Sequence, residues 1–426
     1  MKSVLVIGAG PVGLTCAHVL SRKLNVTVVY PSKEFFIKST SQTFKLDNDL
    51  IKEKMWGNAN IWGNQHDTSL NYLGFDCLTS NLPSIQMSEE SLHEEIKILN
   101  ELWGIKPNYR RNNFSVDSGS LEKFQILKFK KTYKPKLNLE KVSFVQLGFE
   151  SIQFVNMNQI MIDKIKFDFD FMVIAAGGLS NVFFLTQMGK QLAPRFDYFK
   201  NSLGVGYTNH VRVKILTIKF KRWVHVRPMF WRLKTQIPIA GFDYIPIKSE
   251  FTHSRITIRL WAIASKSLIH RFLHELGFYK KADVVAYIEL PQLSSNFVKF
   301  NRRIQKTLFF DFQYDFDEEI IVHIEKRIND LIKDVSNEYV VDEVFPKKFN
   351  LKSSINMDSY HHFGGTRMGN EPINSTTDSF GLVHKASNIY VVGTSTLSRS
   401  FPDHPTWLAS VFAIRSCLQI VNKCNE

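Results

Sequence analysis

The sequence predicts a two-domain α/β fold, one domain assembled from both chain ends and the other, a mixed or antiparallel sheet with helices, inserted between them. Three observations predict it. An apolar strand, Val4-Leu5-Val6-Ile7, runs into closely spaced glycines and then a helix at the amino terminus. Two more apolar strands end in glycine far downstream, at Phe171-Met172-Val173-Ile174 and Ile389-Tyr390-Val391-Val392. Between them, from about 210 to 325, short strand-like segments alternate with polar residues, as in Arg255-Ile256-Thr257-Ile258-Arg259-Leu260. These elements place residues 1–66, 140–200 and 355–426 in the first domain, and 67–139 and 201–354 in the second domain and its connections.

Taken in order, residues 4–34 read as strand, glycine turn, helix and strand, an opening βαβ half. Leu14 to Leu20 supply the apolar face of the helix, and Val26-Thr27-Val28-Val29 is the second strand. Ser88-Glu89-Glu90 opens another helix, with a serine cap and acids in the first turn. Leu92, Ile96, Leu99 and Trp103 keep helical spacing along it, and Gly104 ends it. The stretch from about 110 to 138 is basic, polar and irregular, which predicts surface loop. Val142 to Phe154 and Gln159 to Ile165 predict short strands, and helices are expected near 268–276 and 317–335. Thr406 to Val421 is a nearly all-apolar helix that returns the chain to the first domain.

The 426 residues are too many for one small core and suit two domains. With 44% apolar and 22% charged residues, the composition is that of an ordinary folded protein. No apolar run approaches the ~20 residues of a membrane span. Met1-Lys2-Ser3 leads straight into a strand the fold needs, so no removable leader is expected. Cys16, Cys77, Cys417 and Cys424 show neither paired nor metal-ligand spacing, and Cys16 and Cys417 fall in apolar helical stretches as core thiols. A reducing cytoplasm is the compartment this favours. The net charge of +14 has two readings: a general lysine bias, or an anionic partner. Such a partner is a phosphorylated or nucleotide-linked substrate, an acidic glycan, or a membrane surface touched peripherally. Nucleic acid is not expected, because no zinc-finger, RRM or basic-zipper pattern is present.

Gly8-x-Gly10-x-x-Gly13 has a strand before it and a helix after it, the context that makes this pattern a dinucleotide site. The first glycine permits the tight turn, the second lets the backbone approach a pyrophosphate, and the third lets helix and strand pack closely. The helix N-terminus then offers free N–H groups to the phosphates. The acid that usually ends the second strand to grip the adenosine ribose is missing: the chain reads Val29-Tyr30-Pro31-Ser32-Lys33-Glu34. Ser32 or Glu34 is a candidate substitute, and Lys33 suits an extra phosphate. The glycines alone do not separate FAD from NAD. The distant glycine-ended strands at Ala175-Ala176-Gly177-Gly178 and Val392-Gly393-Thr394-Ser395 do, because they suit a long FAD clamped by remote segments. The first domain is therefore expected to be a Rossmann-like FAD-binding domain.

The densest chemistry lies between 360 and 410. Tyr360-His361-His362-Phe363-Gly364-Gly365-Thr366-Arg367-Met368-Gly369 is followed by the strand at 389–393 and by Phe401-Pro402-Asp403-His404-Pro405-Thr406-Trp407. This order resembles the C-terminal signature of the glucose–methanol–choline (GMC) family of FAD oxidoreductases. Asn58-Ala59-Asn60-Ile61-Trp62-Gly63 is similar to the family segment that packs near the flavin, and Ala175-Ala176-Gly177-Gly178 to its second FAD strand. Gly204 and His210 have the spacing of a further family element, with Asn209 in place of its acid, and Glu289-Leu290-Pro291 resembles the start of the substrate-domain sheet. At 426 residues the chain is short for the family, which implies reduced capping loops over the active site.

The resemblance implies an enzyme that oxidises a CH–OH group of an alcohol or sugar by hydride transfer to flavin N5. It puts His361 at the first catalytic histidine and His404 at the second catalytic position. Histidine suits the task, since a base for a hydroxyl proton needs a pKa near the working pH. His361 is expected as the base and His404 as the group that orients the substrate oxygen. The helix opening at Pro405 and Thr406 would offer positive potential to the flavin. Expected FAD contacts are Gly8, Gly10, Gly13, Ser32, Asn60, Trp62, Gly63, Ala176, Gly177, Gly393, Thr394, Pro405 and Thr406, and no metal is implied. His362 reads as packing or a spare donor, and Arg367 as either a ligand contact or a structural ion pair. FAD is expected to bind noncovalently, with His66 a conceivable attachment point.

Lys219-Phe220-Lys221-Arg222-Trp223 and the cations and aromatics up to Lys234 read as a half-buried strand pair with a basic outer face, or as a seat for a phosphate-bearing or lipid-linked sugar. Electrons would pass to O2, a quinone or a redox protein. Two other functions stay open at this point: an NAD(P)-dependent dehydrogenase, and a non-catalytic flavin-fold binding module.

Overall fold

The computed structural model describes residues 1–33, 35–40, 49–51, 89–103, 137–225, 236–248, 253–263, 278–289, 294–315, 318–338, 340–344, 361–397 and 405–426. The first strand, β1 (Ser3–Ile7), is followed by helix α1 (Pro11–Leu20), β2 (Asn25–Pro31), β3 (Phe35–Ser39), β4 (Asp49–Ile51) and α2 (Glu89–Leu102). Then come β5 (Val142–Leu147), the meander β6 (Ile152–Asn156), β7 (Gln159–Ile162) and β8 (Ile165–Asp168), β9 (Phe171–Ile174) and α3 (Gly178–Gln191).

A second run of strands follows: β10 (His210–His225), β11 (Gln236–Lys248), β12 (His253–Ile263), β13 (Phe278–Glu289), β14 (Phe297–Ile304) and β15 (Thr307–Gln313). The chain closes with α4 (Glu318–Glu338), β16 (Val340–Val344), β17 (Ile389–Val391) and α5 (Thr406–Asn425).

The apolar runs noted in the sequence form one parallel sheet, ordered β17-β9-β1-β2-β5. Continuous apolar strands are what such a sheet demands, since both of its faces are covered. Successive side chains alternate between the faces. Val4, Val6, Val26, Val28 and Val173 pack with Leu14, Leu99, Trp103 and Trp407 on the side of α1, α2 and α5. Leu5, Ile7, Val29, Met172 and Ile174 pack with Phe183, Leu185, Phe154 and Phe310 on the side of α3. Strands from near both chain ends thus sit two places apart, with β9 between them.

α5 is buried nearly all round because it is apolar nearly all round. Trp407 is fully buried, and truncating a side chain of this size to alanine costs roughly 3–5 kcal/mol. Cys16 of α1 and Cys417 of α5 are free thiols in this core, and burial pushes the Cys417 thiol up. The helix runs to Asn425, beyond the expected Val421, because no glycine or proline interrupts it.

The inserted sheet is antiparallel, ordered β11-β12-β13-β10-β16, with α4 against it. A third sheet, β14-β15-β3-β4, is mixed: β15 runs parallel to β3 and so ties the inserted region to residues just after β2. The fold is the mixed α/β architecture expected from sequence. Three details differ. The single strand-like region 142–154 is broken at Gly148 and Phe149, where Phe149 takes φ 52° and the Glu150 N–H turns to the Asp163 carboxylate at 2.6 Å. Glu289 closes β13, opposite His210 of β10, and so ends a strand where a sheet start was expected. The helix expected at 317–335 spans Glu318–Glu338, with Glu318 and Glu319 in its first turn. The helix expected near 268–276, the Ser88 cap and the loop at 110–136 lie outside the described residues. Among the described residues no helix is long and apolar enough to cross a membrane.

Candidate active site

A cavity opens at the carboxyl ends of the parallel strands, the usual ligand position in an open α/β sheet. Its floor is the glycine turn. Gly8 takes φ +112°, and a Cβ there would lie 2.5 Å from the Ala175 carbonyl oxygen, so the turn tolerates no side chain. A Cβ on Gly13 would strike the Gly8 carbonyl, which keeps α1 close to β1. Gly10 is different: a Cβ there would meet nothing within 4 Å, and it faces the cavity as bare backbone.

The second and third glycine-ended strands complete the floor. Gly177 and Gly393 line the cavity with Gly10. Asn181, buried in the first turn of α3, stitches these ends together. Its carbonyl oxygen accepts the Ala176 N–H at 2.9 Å, and its amide donates to the Val392 carbonyl and the Ser395 hydroxyl, each at 2.9 Å. Sequence reasoning missed this residue; a polar side chain directly before the apolar run Val182-Phe183-Phe184-Leu185 was the available signal.

Three helices begin at the cavity wall. α1 starts at Gly10 and Pro11, α3 at Gly177 and Gly178, and α5 at Pro405 and Thr406, and none of the three N-caps has a side-chain cap. Their first N–H groups and positive dipole ends suit a negative ligand. Among the described residues in the wall there is no carboxylate, and Arg303 is the one permanent charge. A bare-backbone glycine cradle, uncapped helix starts and the absence of acids there together fit a dinucleotide diphosphate.

The histidine segment enters between two backbone partners. Phe363 exchanges hydrogen bonds with Thr208, at 2.9 and 3.0 Å, and the Gly204 N–H reaches the Gly365 carbonyl at 2.6 Å. On the other side, Thr366 and Met368 donate to the Ser395 and Thr396 carbonyls, each at 3.0 Å. This lacing sets His361, half-buried, in the cavity wall above the floor. His362 also lines the cavity, and its Nδ1 lies 2.8 Å from the Tyr207 hydroxyl. Gly178 packs against it: a Cβ there would come within 2.8 Å of His362 Cβ. Arg367 points elsewhere. Its guanidinium donates to the Asn374 carbonyl at 2.9 Å, and burial lowers its pKa.

Of the residues singled out in the sequence, Gly8, Gly10, Ala176, Gly177, Gly393, Thr394, Pro405, Thr406 and His361 line this one cavity. Gly13 and Ser32 do not. Gly13 is spent on helix packing, and the Ser32 N–H bonds to the Leu147 carbonyl at 2.6 Å as β2 continues alongside β5. Asn60, Trp62, Gly63, His66 and His404 lie outside the described residues.

Residues 293–413 match the family model for GMC oxidoreductase. Over this C-terminal part the chain is similar to the GMC oxidoreductases. The likeness in fold to solved structures extends over 99% of the chain. The chain is similar to pyridoxine 4-oxidase from Mesorbium loti, with a TM-score of 0.56, 12% identity, and 99% of each chain covered. It is also similar to a variant of Aspergillus oryzae RIB40 formate oxidase made to probe FAD modification. There the TM-score is 0.60, the identity 10%, and the coverage 99% of this chain and 98% of that one. No curated protein matches the sequence. At these identities the likeness to the two solved structures is one of fold.

Proposed function

We propose that this GMC-like enzyme oxidises the carbinol carbon of a small alcohol or sugar, with His361 as the base. When bound, FAD supplies the two-electron acceptor, taking the hydride at N5. The observation that carries the reading is the position of His361, in the wall of the same cavity that Gly8 and Gly10 floor. Its imidazole takes the hydroxyl proton as the carbon–hydrogen bond is broken. His404 is proposed to hydrogen-bond and orient the substrate oxygen. The α5 N-terminus at Pro405 and Thr406 holds positive potential against the cofactor site. Gly8, Gly10, Ala176, Gly177, Gly393 and Thr394, with Asn60, Trp62 and Gly63, are proposed to bind FAD.

The division of labour follows the same reading: 1–66, 140–200 and 355–426 form the FAD-binding domain, and 67–139 and 201–354 the substrate-binding domain and connecting segments. The solved structures that share the fold are named for pyridoxine and for formate, which supports a small-molecule donor. The chain's charge of +14 supports an anionic donor, such as a phosphorylated, nucleotide-linked or lipid-linked sugar. Purified protein is expected to be yellow and to bleach anaerobically with the right member of a panel of simple alcohols, sugars and nucleotide sugars. Colourless protein that cannot be reconstituted with FAD, or nicotinamide turnover without a flavin spectrum, defeats the proposal.

A further inference from the structure

The cavity has a direction. In the sheet order β17-β9-β1-β2-β5, the glycine turn follows the middle strand. Gly177 and Gly393 lie at the ends of β9 and β17 on one side, with His361 in the wall above them. Tyr30, Pro31 and Phe149 lie at the ends of β2 and β5 on the other. A dinucleotide whose diphosphate rests on the glycine turn places its adenosine at the β2 end. An acid normally receives the ribose there, and this chain has Tyr30.

The third sheet brings a different residue to that end. Arg303 is near the end of β14, whose pairing with β15, and of β15 with β3, carries it to the cavity wall beside Phe35. Its guanidinium is held in place. Nε donates to the Gln305 carbonyl at 2.8 Å, Nη1 donates to the Phe149 carbonyl, and the guanidinium carbon sits 5.0 Å from the Phe35 ring centre. Both acceptors are neutral carbonyls. The acids that act on the charge, Asp163 and Glu150, do so only coulombically, and Glu150 is itself paired with Lys33 at 3.0 Å. The group is half-buried, so its charge is partly stripped of water without a contacting counter-charge. Among the described residues its Nη2 donates to nothing, and its planar fork is already oriented.

We propose that Arg303 holds the adenosine half of FAD, doing by a guanidinium fork stacked on Phe35 what an acid at the end of β2 does in other dinucleotide folds. This inference rests on the FAD reading above. Arg303 gives hydrogen bonds to adenosine oxygens or ring nitrogens, and the Arg303–Phe35 layer forms a flat surface against which adenine stacks.

The test compares FAD with FMN, which lacks the adenosine half, on apo-protein prepared by removing the flavin. Affinities are read by flavin fluorescence. Arg303→Met is expected to lower the ratio of FAD to FMN affinity by about tenfold to a hundredfold, and to weaken competition by ADP to the same degree. Because both flavins are measured on one preparation, a variant that is merely less well folded loses both affinities together, and that result overturns the assignment. An unchanged ratio overturns it as well. Wild-type preference for 2′,5′-ADP over 5′-ADP overturns it by showing that the fork reads an extra phosphate. If Arg303→Met does not fold, Arg303→Lys carries the same comparison with the same outcomes, since lysine lacks the fork. Wild-type protein that binds FMN and FAD alike sinks this inference alone, whereas wild-type protein that binds no flavin sinks the proposed function with it.

Discussion

The Tyr207 hydroxyl and His362 Nδ1 lie 2.8 Å apart, with their rings 6.0 Å between centroids and 27° from parallel. Both residues are buried, and each adjoins the backbone pair Thr208 and Phe363. The side-chain bond and the backbone bridge therefore set the same register, and the neighbour they position is His361.

Removing that hydroxyl tests the coupling. Tyr207→Phe is expected to lower the unfolding free energy by about 1–2 kcal/mol, the cost of losing a buried hydrogen bond. Flavin reduction should slow while FAD affinity holds. Denaturant unfolding and anaerobic stopped-flow measure the two effects, and no change in either would show the bond to be idle.

His361→Ala is expected to slow flavin reduction by about a hundredfold or more while leaving FAD bound. Single-turnover bleaching in the absence of oxygen reads the rate directly. Reduction at the wild-type rate removes His361 from the mechanism.

Two neighbouring glycines should respond in opposite ways. Gly8→Ala forces a side chain onto a residue at φ +112°, 2.5 Å from the Ala175 carbonyl oxygen. It is expected to destabilise the apo-protein by about 1–3 kcal/mol. Gly10→Ala meets no atom within 4 Å and should leave apo-stability unchanged within about 0.5 kcal/mol. Its methyl instead occupies the cradle, weakening FAD binding by about tenfold or more. Thermal melts of apo-protein alongside FAD titration distinguish the two, and equal behaviour would contradict the assignment of Gly10 to the ligand.

Stability should fall on mild acidification. Burial holds His18 below its ordinary value, opposed by a hydrogen bond from its ring to the Asn138 backbone carbonyl and reinforced by Arg22. His384 is likewise lowered by burial, with Asp378 opposing. Below the unfolded value of 6.5 the unfolded chain binds these protons first, so stability is complete above that pH and declines toward the lowered native values. Asp378, raised above 3.8 by burial, has the opposite sign: its contribution is complete below 3.8 and is lost as pH rises through its native value. Urea unfolding at about pH 7.5 and 5.5 should show the decline, and His18→Gln should reduce the slope. A slope unaltered by that substitution would assign the pH dependence to other groups.

The sequence by itself determined whatever depends on near neighbours along the chain. The Gly8–Gly13 turn, the apolar strands and the run of Thr406 to Val421 are local patterns whose period and glycine spacing leave few conformations open. For that reason most of the cavity floor could be named before the fold was known. Only the tertiary structure decided which remote side chains meet around it. Asn181 reaches Val392 across 211 positions, Tyr207 reaches His362 across 155, and Arg303 reaches Phe149 across 154. No local rule links such pairs, because their proximity follows from how β14, β15 and β3 pair and how α3 packs on the sheet, and those choices are made by burial summed over the whole chain.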